Sequence, residues 1–192
     1  MTKKIDYYFT PPSPWSYLGH ERFAAIARKH GAQVAVKPAD YGVIFPQSGG
    51  LPLAKRAPQR QAYRLQELPR WRDYLGVPLN IHPKFFPADA TQAACVIASA
   101  PEDKRMALAG DFMRAVWVDE KNIADPATVA EIAARHGIAN AAEAVAKGKA
   151  AYEANTQEAV ARQVFGAPTY VYRDELFWGQ DRLDFLDRAL GK

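Results

Sequence analysis

Apolar and polar residues alternate at the start of the chain. Within KIDYYF, apolar side chains recur at every second position, which predicts a β-strand over residues 3–9. From Pro14 to about His30 the apolar spacing becomes that of a helix, and Gly31 is placed to end it. The next stretch, AQVAVKPA, predicts a second strand over residues 32–39. Strand, helix and strand together predict a βαβ unit.

The middle of the chain is predominantly helical in pattern. Residues 40–54 are rich in Gly and Pro and have no clear period, so we predict a loop there. From about Gln59 to Gly166 the chain predicts successive helices, with Pro69 as an expected kink in the first. These segments are RQAYRLQELPRWRDYLG, TQAACVIASA, EDKRMALAGDFMRAVWVDEKN, PATVAEIAARHG and NAAEAVAKGKAAYEANTQEAVARQVFG.

The strand pattern returns near the end. APTYVYRDELFWG predicts a hairpin whose two strands are joined by Arg173-Asp174-Glu175, and QDRLDFLDRALG predicts an amphipathic helix. The order βαβ, helices, ββα predicts an α/β chain with a thioredoxin-like fold and a large all-helical insertion. Residues 1–40 and 160–192 would form the thioredoxin-like domain, and residues 55–159 the helical insertion domain.

Composition narrows the class of protein. The 192 residues are 48% hydrophobic and 24% charged, and no apolar run reaches the length of a membrane span. MTKKIDYYF has no apolar core of a signal peptide, so we expect a cytoplasmic protein. Acidic and basic residues are interleaved, and a net charge of +4 favours a small anionic ligand over nucleic acid. The single cysteine, Cys95, lies in an apolar helical stretch and excludes an internal disulfide.

Candidate chemistry lies where the first strand gives way to the first helix. In Ser13-Pro14-Trp15-Ser16, Ser13 falls at the helix N-cap and Pro14 at the first helical position. Ser13 could simply be an N-cap. However, thioredoxin-like oxidoreductases hold Cys-x-x-Cys at this junction, where the helix N-terminus stabilises a thiolate. Ser13 and Ser16 have that spacing with oxygen in place of sulfur.

A second signal precedes the hairpin. In Gly166-Ala167-Pro168-Thr169, the proline occupies a place that in this fold is commonly cis and faces the active helix. An ordinary turn before a strand is the alternative. The histidines show neither a pairing with Ser13 nor metal-ligand spacing, so we expect no metal site.

Taken together, the chain resembles the 2-hydroxychromene-2-carboxylate isomerases, relatives of kappa-class glutathione transferases in the DsbA-like group of thioredoxin folds. The most specific parts of this resemblance are FTPPSPWSYL, RWRDYLGVPL and VFGAPTYVYRDELFWGQDRL. It implies glutathione as cofactor and Ser13 as the catalytic residue that holds the cofactor thiolate. It further implies that glutathione is bound by Ala167 before Pro168, and by Trp178, Gly179, Gln180 and Asp181.

The same resemblance implies a small aromatic carboxylate as substrate, with Lys55 and Phe85 where family members touch it. Lys55 could equally be a solvated loop charge and Phe85 a core aromatic. Ala54 stands where other members carry Asn, so the substrate could differ. The implied reaction converts 2-hydroxychromene-2-carboxylate to trans-o-hydroxybenzylidenepyruvate. A kappa-like glutathione transferase or peroxidase, and a non-catalytic thiol-binding protein, remain alternatives. Relatives are often dimers, so the resemblance also suggests a homodimer.

Overall fold

The computed structural model describes residues 2–192, in which four strands form one mixed sheet. The strands are β1 (Lys4–Phe9), β2 (Gln33–Pro38), β3 (Thr169–Tyr172) and β4 (Glu175–Trp178), in the spatial order β2-β1-β3-β4. β1 pairs parallel with β2 and antiparallel with β3, and β3 pairs antiparallel with β4. This arrangement confirms the predicted βαβ and ββ units.

Helices make up most of the remaining chain. They are α1 (Pro14–Lys29), α2 (Tyr41–Ser48), α3 (Pro58–Leu75), α4 (Thr91–Ser99), α5 (Glu102–Trp117), α6 (Pro126–Arg135), α7 (Ala141–Ala161) and α8 (Leu183–Leu190). Short 3₁₀ turns cover Leu53–Lys55 and Gln180–Arg182. α3 continues through Pro69 to Leu75. No helix of residues 2–192 is long and apolar enough to cross a membrane.

The prediction of a loop over residues 40–54 is wrong for Tyr41–Ser48, which is helical. The side chain of Asp40 accepts a hydrogen bond from the Gly42 N–H at 2.7 Å and caps this helix, and Gly49 ends it in the left-handed conformation. Pro46 lies inside the helix, and the segment is too short for its apolar residues to reveal a period.

The hairpin turn is one residue shorter than predicted. Arg173 and Asp174 both have positive φ, at 51° and 64°, while Glu175 is the first residue of β4. Two central residues with positive φ suit a two-residue hairpin between right-twisted strands.

One hydrophobic core joins the sheet to the helices. Ile5, Tyr7 and Phe9 of β1 are fully buried together with residues of α5 such as Phe112 and Trp117. Tyr8, on the opposite face of β1, is also fully buried and belongs to a second cluster with Tyr41 and Ile44 of α2, so both faces of the strand are covered. α8 buries Leu183, Leu186 and Leu190 on one face, as its amphipathic pattern predicts.

Candidate active site

The sheet topology brings the predicted site residues to one edge. Tyr8 near the end of β1 lies opposite Thr169 at the start of β3, and Thr169 lies opposite Trp178 at the end of β4. The segment that leads from β1 into α1, the loop before β3 and the segment after β4 therefore leave the sheet at the same edge. β2 also ends there, since Phe9 pairs with Pro38.

Ser13 caps the helix that starts at this edge. Its extended backbone, with φ −77° and ψ 119°, precedes Pro14 at the first helical position. The Ser13 Oγ accepts a hydrogen bond from the Ser16 N–H at 3.2 Å. Within residues 2–192, the hydroxyl hydrogen of Ser13 has no acceptor. The side chain therefore serves as a cap and keeps one free donor.

Ser16 occupies a different environment from Ser13. Its side chain is fully buried, and its Oγ lacks a hydrogen-bond partner in the described part of the chain. The two serines that share the spacing of a Cys-x-x-Cys pair are thus unequal, because only Ser13 is partly open to a ligand.

The loop before β3 is held by hydrogen bonds to the carbonyl of Gly166. That oxygen accepts from Tyr41 Oη at 3.1 Å and from Thr169 Oγ1 at 2.6 Å. The Ala167–Pro168 bond is cis, as predicted. The main-chain N–H and C=O of Ala167 have no hydrogen-bond partner among the described residues. This pair of polar groups is available to an extended ligand.

Gly179 ties the segment after β4 to this loop. Its N–H donates to the Pro168 carbonyl at 2.8 Å. Its φ of +97° favours glycine, and a Cβ there would lie 2.5 Å from Asp181 Oδ1. Trp178, just before it, is half-exposed and packs its ring 4.9 Å from that of Phe165.

Gln180 and Asp181 face different surroundings. The Gln180 side chain is buried and accepts a hydrogen bond from Arg22 Nη1 at 2.9 Å, so it points into the protein rather than toward a ligand. Asp181 is exposed and pairs with its neighbour Arg182. A Cβ on Gly19 of α1 would lie 2.8 Å from Gln180 Cβ, so α1 packs tightly against this turn.

The two predicted substrate residues lie on separate segments. Lys55 is exposed, ends the 3₁₀ turn that follows α2, and has no ion pair within residues 2–192. Phe85 is half-buried in the connection between α3 and α4, with Lys84 Nζ 5.1 Å from its ring centroid. No hydrogen bond of the described chain ties Lys55 to Ser13 or to the Ala167 loop.

Sequence reasoning missed two residues that position this site. Tyr41 was assigned to a loop, yet its phenol holds the Gly166 carbonyl, and burial raises the pKa of its hydroxyl well above the ordinary value. Arg22 lies two turns into α1 and fixes Gln180. The Asp40 cap before an apolar run was the signal that could have revealed Tyr41 as helical.

Comparisons with known proteins agree with this architecture. Residues 4–191 match the DSBA-like thioredoxin domain family, which confirms the thioredoxin-like fold. A 2-hydroxychromene-2-carboxylate isomerase of Pseudomonas putida is 30% identical over 98% of this chain and 94% of its own. A solved structure of a 2-hydroxychromene-2-carboxylate isomerase superposes with a TM-score of 0.82 at 26% identity, covering 98% of this chain and 94% of that one. A glutathione S-transferase kappa 1 of Caenorhabditis elegans is 23% identical over 95% of this chain and 88% of its own.

Proposed function

Because this chain belongs to the 2-hydroxychromene-2-carboxylate isomerase family of DSBA-like thioredoxin domains, we propose that it is a glutathione-dependent isomerase. The proposed reaction converts 2-hydroxychromene-2-carboxylate, or a related bicyclic aromatic compound, to the trans-benzylidenepyruvate. The observation that carries the proposal is the free hydroxyl donor of Ser13 at the N-terminus of α1, at the sheet edge that also carries the unpaired main chain of Ala167.

The residues at this edge fit a glutathione molecule. The free N–H and C=O of Ala167 would pair with the peptide-like backbone of glutathione as an added strand. Asp181 would take the ammonium of its γ-glutamyl end, since this carboxylate is exposed. The N–H groups of Gln180 and Asp181 have no hydrogen-bond partner in residues 2–192 and would receive the γ-glutamyl carboxylate.

Ser13 would hold the sulfur as a thiolate. A free thiol of pKa about 8.5 is about 3% ionised at pH 7, and lowering that pKa by about 1.5 units requires roughly 2 kcal/mol. A helix N-terminus contributes about 0.3–2 kcal/mol toward a nearby anion. The hydroxyl of Ser13 adds a charge-assisted hydrogen bond, and its oxygen is already oriented by the Ser16 N–H.

Glutathione, when bound, would supply a nucleophile that adds reversibly to the double bond conjugated with the keto acid, so that the bond can rotate. The protein's task is then to keep the sulfur ionised, to align substrate and cofactor, and to release both without a redox change. A serine suffices for this task because no protein sulfur has to be oxidised or reduced. Lys55 would face the substrate carboxylate and Phe85 its ring.

A kappa-like transferase is the second candidate, and the similarity to glutathione S-transferase kappa 1 favours it. The two activities differ in whether glutathione is consumed. An isomerase turns over many substrate molecules for each glutathione, whereas a transferase consumes one glutathione per product.

The test is an assay of 2-hydroxychromene-2-carboxylate isomerisation with glutathione absent, at a small fraction of the substrate concentration, and in excess. We expect no turnover without glutathione and complete conversion with the small fraction. Conversion that stops once one product molecule has formed for each glutathione molecule added would favour the transferase. Full conversion without any thiol would contradict both assignments.

A further inference from the structure

A stretch of the sequence that leads into α3 and runs along it carries cations but no carboxylates. Between Asp40 and Glu67 the sequence has no acidic residue, but it has Lys55, Arg56, Arg60 and Arg64. Arg60 and Arg64 are four residues apart on α3, so they lie on the same face of that helix. Neither belongs to an ion pair within residues 2–192.

Arg64 is the most enclosed of these cations. Its Nη2 is buried without a hydrogen-bond partner in the described chain, and its Nε and Nη1 make no hydrogen bond there either. Glu67, one turn further along α3, pairs with Arg70 at 2.8 Å instead. Burial, together with the positive charge of Arg56, lowers the pKa of the Arg64 guanidinium to about 10. At neutral pH it is still charged.

Two aromatic rings flank this guanidinium. Its central carbon lies 4.9 Å from the ring centroid of Phe86 and 5.7 Å from that of Trp117, and these two rings lie 5.0 Å apart. The Trp117 Nε1 is a second buried donor without a partner among residues 2–192. Cation–π contact compensates only part of the free energy lost when an arginine leaves water without a carboxylate.

Hydrogen bonds connect Trp117, which flanks the Arg64 guanidinium, to the helix that carries Ser13. Tyr17, in the first turn of α1, donates from its hydroxyl to the Pro78 carbonyl at 2.6 Å. Two residues later, the Asn80 N–H donates to the Trp117 carbonyl at 2.7 Å. The segment of residues 78–80 therefore bridges the first turn of α1 and Trp117.

We propose that Arg64 binds the carboxylate of a ligand in the active site, with the partly exposed ring of Phe86 beside the aromatic body of that ligand. The fully buried Trp117 would support Phe86 and the guanidinium from the core side. The planar guanidinium fork matches a carboxylate, and aromatic walls suit a flat apolar body next to it. This inference rests on the proposed function in so far as it names the substrate class. The same chemistry would also suit a carboxylate of glutathione.

The test measures binding, so it does not depend on turnover. Calorimetric titrations with trans-cinnamate, its neutral amide trans-cinnamamide, and glutathione are compared for wild type, Arg64→Gln, Arg64→Lys and the control Arg60→Gln. Arg60 is a matched control because it is an exposed arginine on the same helix. Circular dichroism checks the fold of each variant.

In wild type and Arg60→Gln, we expect a carboxylate-bearing ligand to bind at least about ten-fold more tightly than in Arg64→Gln. Loss of cinnamate affinity alone, with cinnamamide unaffected, assigns the carboxylate to the substrate. Loss of glutathione affinity alone assigns it to the cofactor. Arg64→Lys keeps the charge but not the fork, so it should lose most of the affinity even if Arg64→Gln does not fold.

The inference is overturned if all variants bind cinnamate and glutathione within about two-fold of wild type. It is also overturned if wild type binds cinnamate no better than cinnamamide and the Arg64 variants bind glutathione as tightly as wild type does. These outcomes leave the isomerase assignment standing. Conversely, a protein that isomerises nothing would still show the carboxylate preference if the Arg64 site is correct.

Discussion

The two sides of the candidate site are built in different ways. On the proposed cofactor side, hydrogen bonds of main-chain groups fix the geometry. The Gly179 N–H donates to the Pro168 carbonyl, and the Gly166 carbonyl accepts from two hydroxyls. On the proposed substrate side, long side chains such as Lys55 and Arg64 project from a loop and a helix, without carboxylate partners in residues 2–192.

Because of this difference, we expect the two sides of the site to tolerate substitutions to different degrees. A main-chain site tolerates few substitutions, because its geometry depends on glycine and proline conformations. A side-chain site can change its ligand by single substitutions while the fold is kept. We therefore expect changes on the cofactor side to abolish activity with any substrate, and changes on the substrate side to alter affinity for particular substrates.

The largest effect should come from Ser13. Ser13→Ala removes the proposed donor to the thiolate, and loss of such a donor lowers kcat by about 10²–10³. The substitution also removes the helix cap, which costs about 1 kcal/mol in the free energy of unfolding. Steady-state kinetics and thermal melts measure the two effects.

Ser13→Asp separates the cap from the donor. Aspartate caps helices as well as serine does but places a negative charge near the sulfur, so stability should be kept while activity is lost. Ser16→Ala, which removes a buried hydroxyl without a partner, should keep most of the activity. Equal losses in Ser13→Ala and Ser16→Ala would refute the special role of Ser13.

Gly179 tests the main-chain side. Gly179→Ala forces a Cβ to 2.5 Å from Asp181 Oδ1 at a φ of +97°, which costs about 1–3 kcal/mol of strain. We expect the Kd of glutathione to rise about ten-fold or more. Gly31→Ala is the control, because Gly31 also has positive φ but follows the far end of α1 and has no atom near its Cβ position. A similar loss of glutathione affinity in both variants would argue against a local effect.

Asp181 tests the proposed ammonium contact. Asp181→Asn keeps the shape but removes the charge, and the Kd of glutathione should rise about ten-fold. Asp184→Asn changes an exposed aspartate three residues later and should leave the Kd within about two-fold. Titration calorimetry distinguishes the two results, and unchanged binding in Asp181→Asn would exclude the contact.

Lys55 should have a smaller effect. Because it is exposed, Lys55→Gln should raise the KM for the carboxylate substrate about three- to ten-fold and leave the Kd of glutathione unchanged. Lys147→Gln, on the outer face of α7, serves as control. A fall in glutathione affinity in Lys55→Gln would indicate that this lysine contacts the cofactor and not the substrate.

We expect the smallest effect on activity from His20 on α1, the helix that adjoins both the cofactor side and the substrate side. Its expected effect is on the pH dependence of the free energy of unfolding. His20 is buried, its Nε2 lies 3.0 Å from the Met106 carbonyl and its Nδ1 3.3 Å from Tyr7 Oη, and burial lowers its pKa below 6.5. A group with a lowered pKa in the folded state binds protons more readily when unfolded. Its contribution to stability is therefore complete above pH 6.5 and falls as the pH drops below that value.

Denaturant unfolding of wild type and His20→Gln between neutral and acidic pH measures this contribution. We expect the wild type to lose up to about 1.4 kcal/mol more per pH unit than the variant below that pKa. Parallel pH profiles would show that folding does not lower the pKa of His20.

The sequence predicted the backbone features of the proposed cofactor side, such as the Ser13 cap and the cis bond before Pro168, better than the side-chain contacts of the proposed substrate side, and the reason is physical. Ser13, Pro168 and Gly179 occupy positions where a cap, a proline or a positive φ restricts the choice of residue, so local patterns identify them. Arg64 and Trp117 lie 53 positions apart and meet only through the packing of α3 and α5. No local pattern reports such a contact. The helix Tyr41–Ser48 was missed because Pro46 and the glycines around it favour a loop.

The most direct test of the central claim is the thiol pKa of bound glutathione. It is measured from the ultraviolet absorbance of the thiolate as a function of pH, in wild type and in Ser13→Asp, Ser13→Ala and Ser16→Ala. We expect the pKa to fall from about 8.5 to about 7 in wild type and Ser16→Ala, and to stay clearly higher in both Ser13 variants. A bound thiol that titrates near its free pKa in wild type, or equally in wild type and Ser13→Ala, would contradict the account.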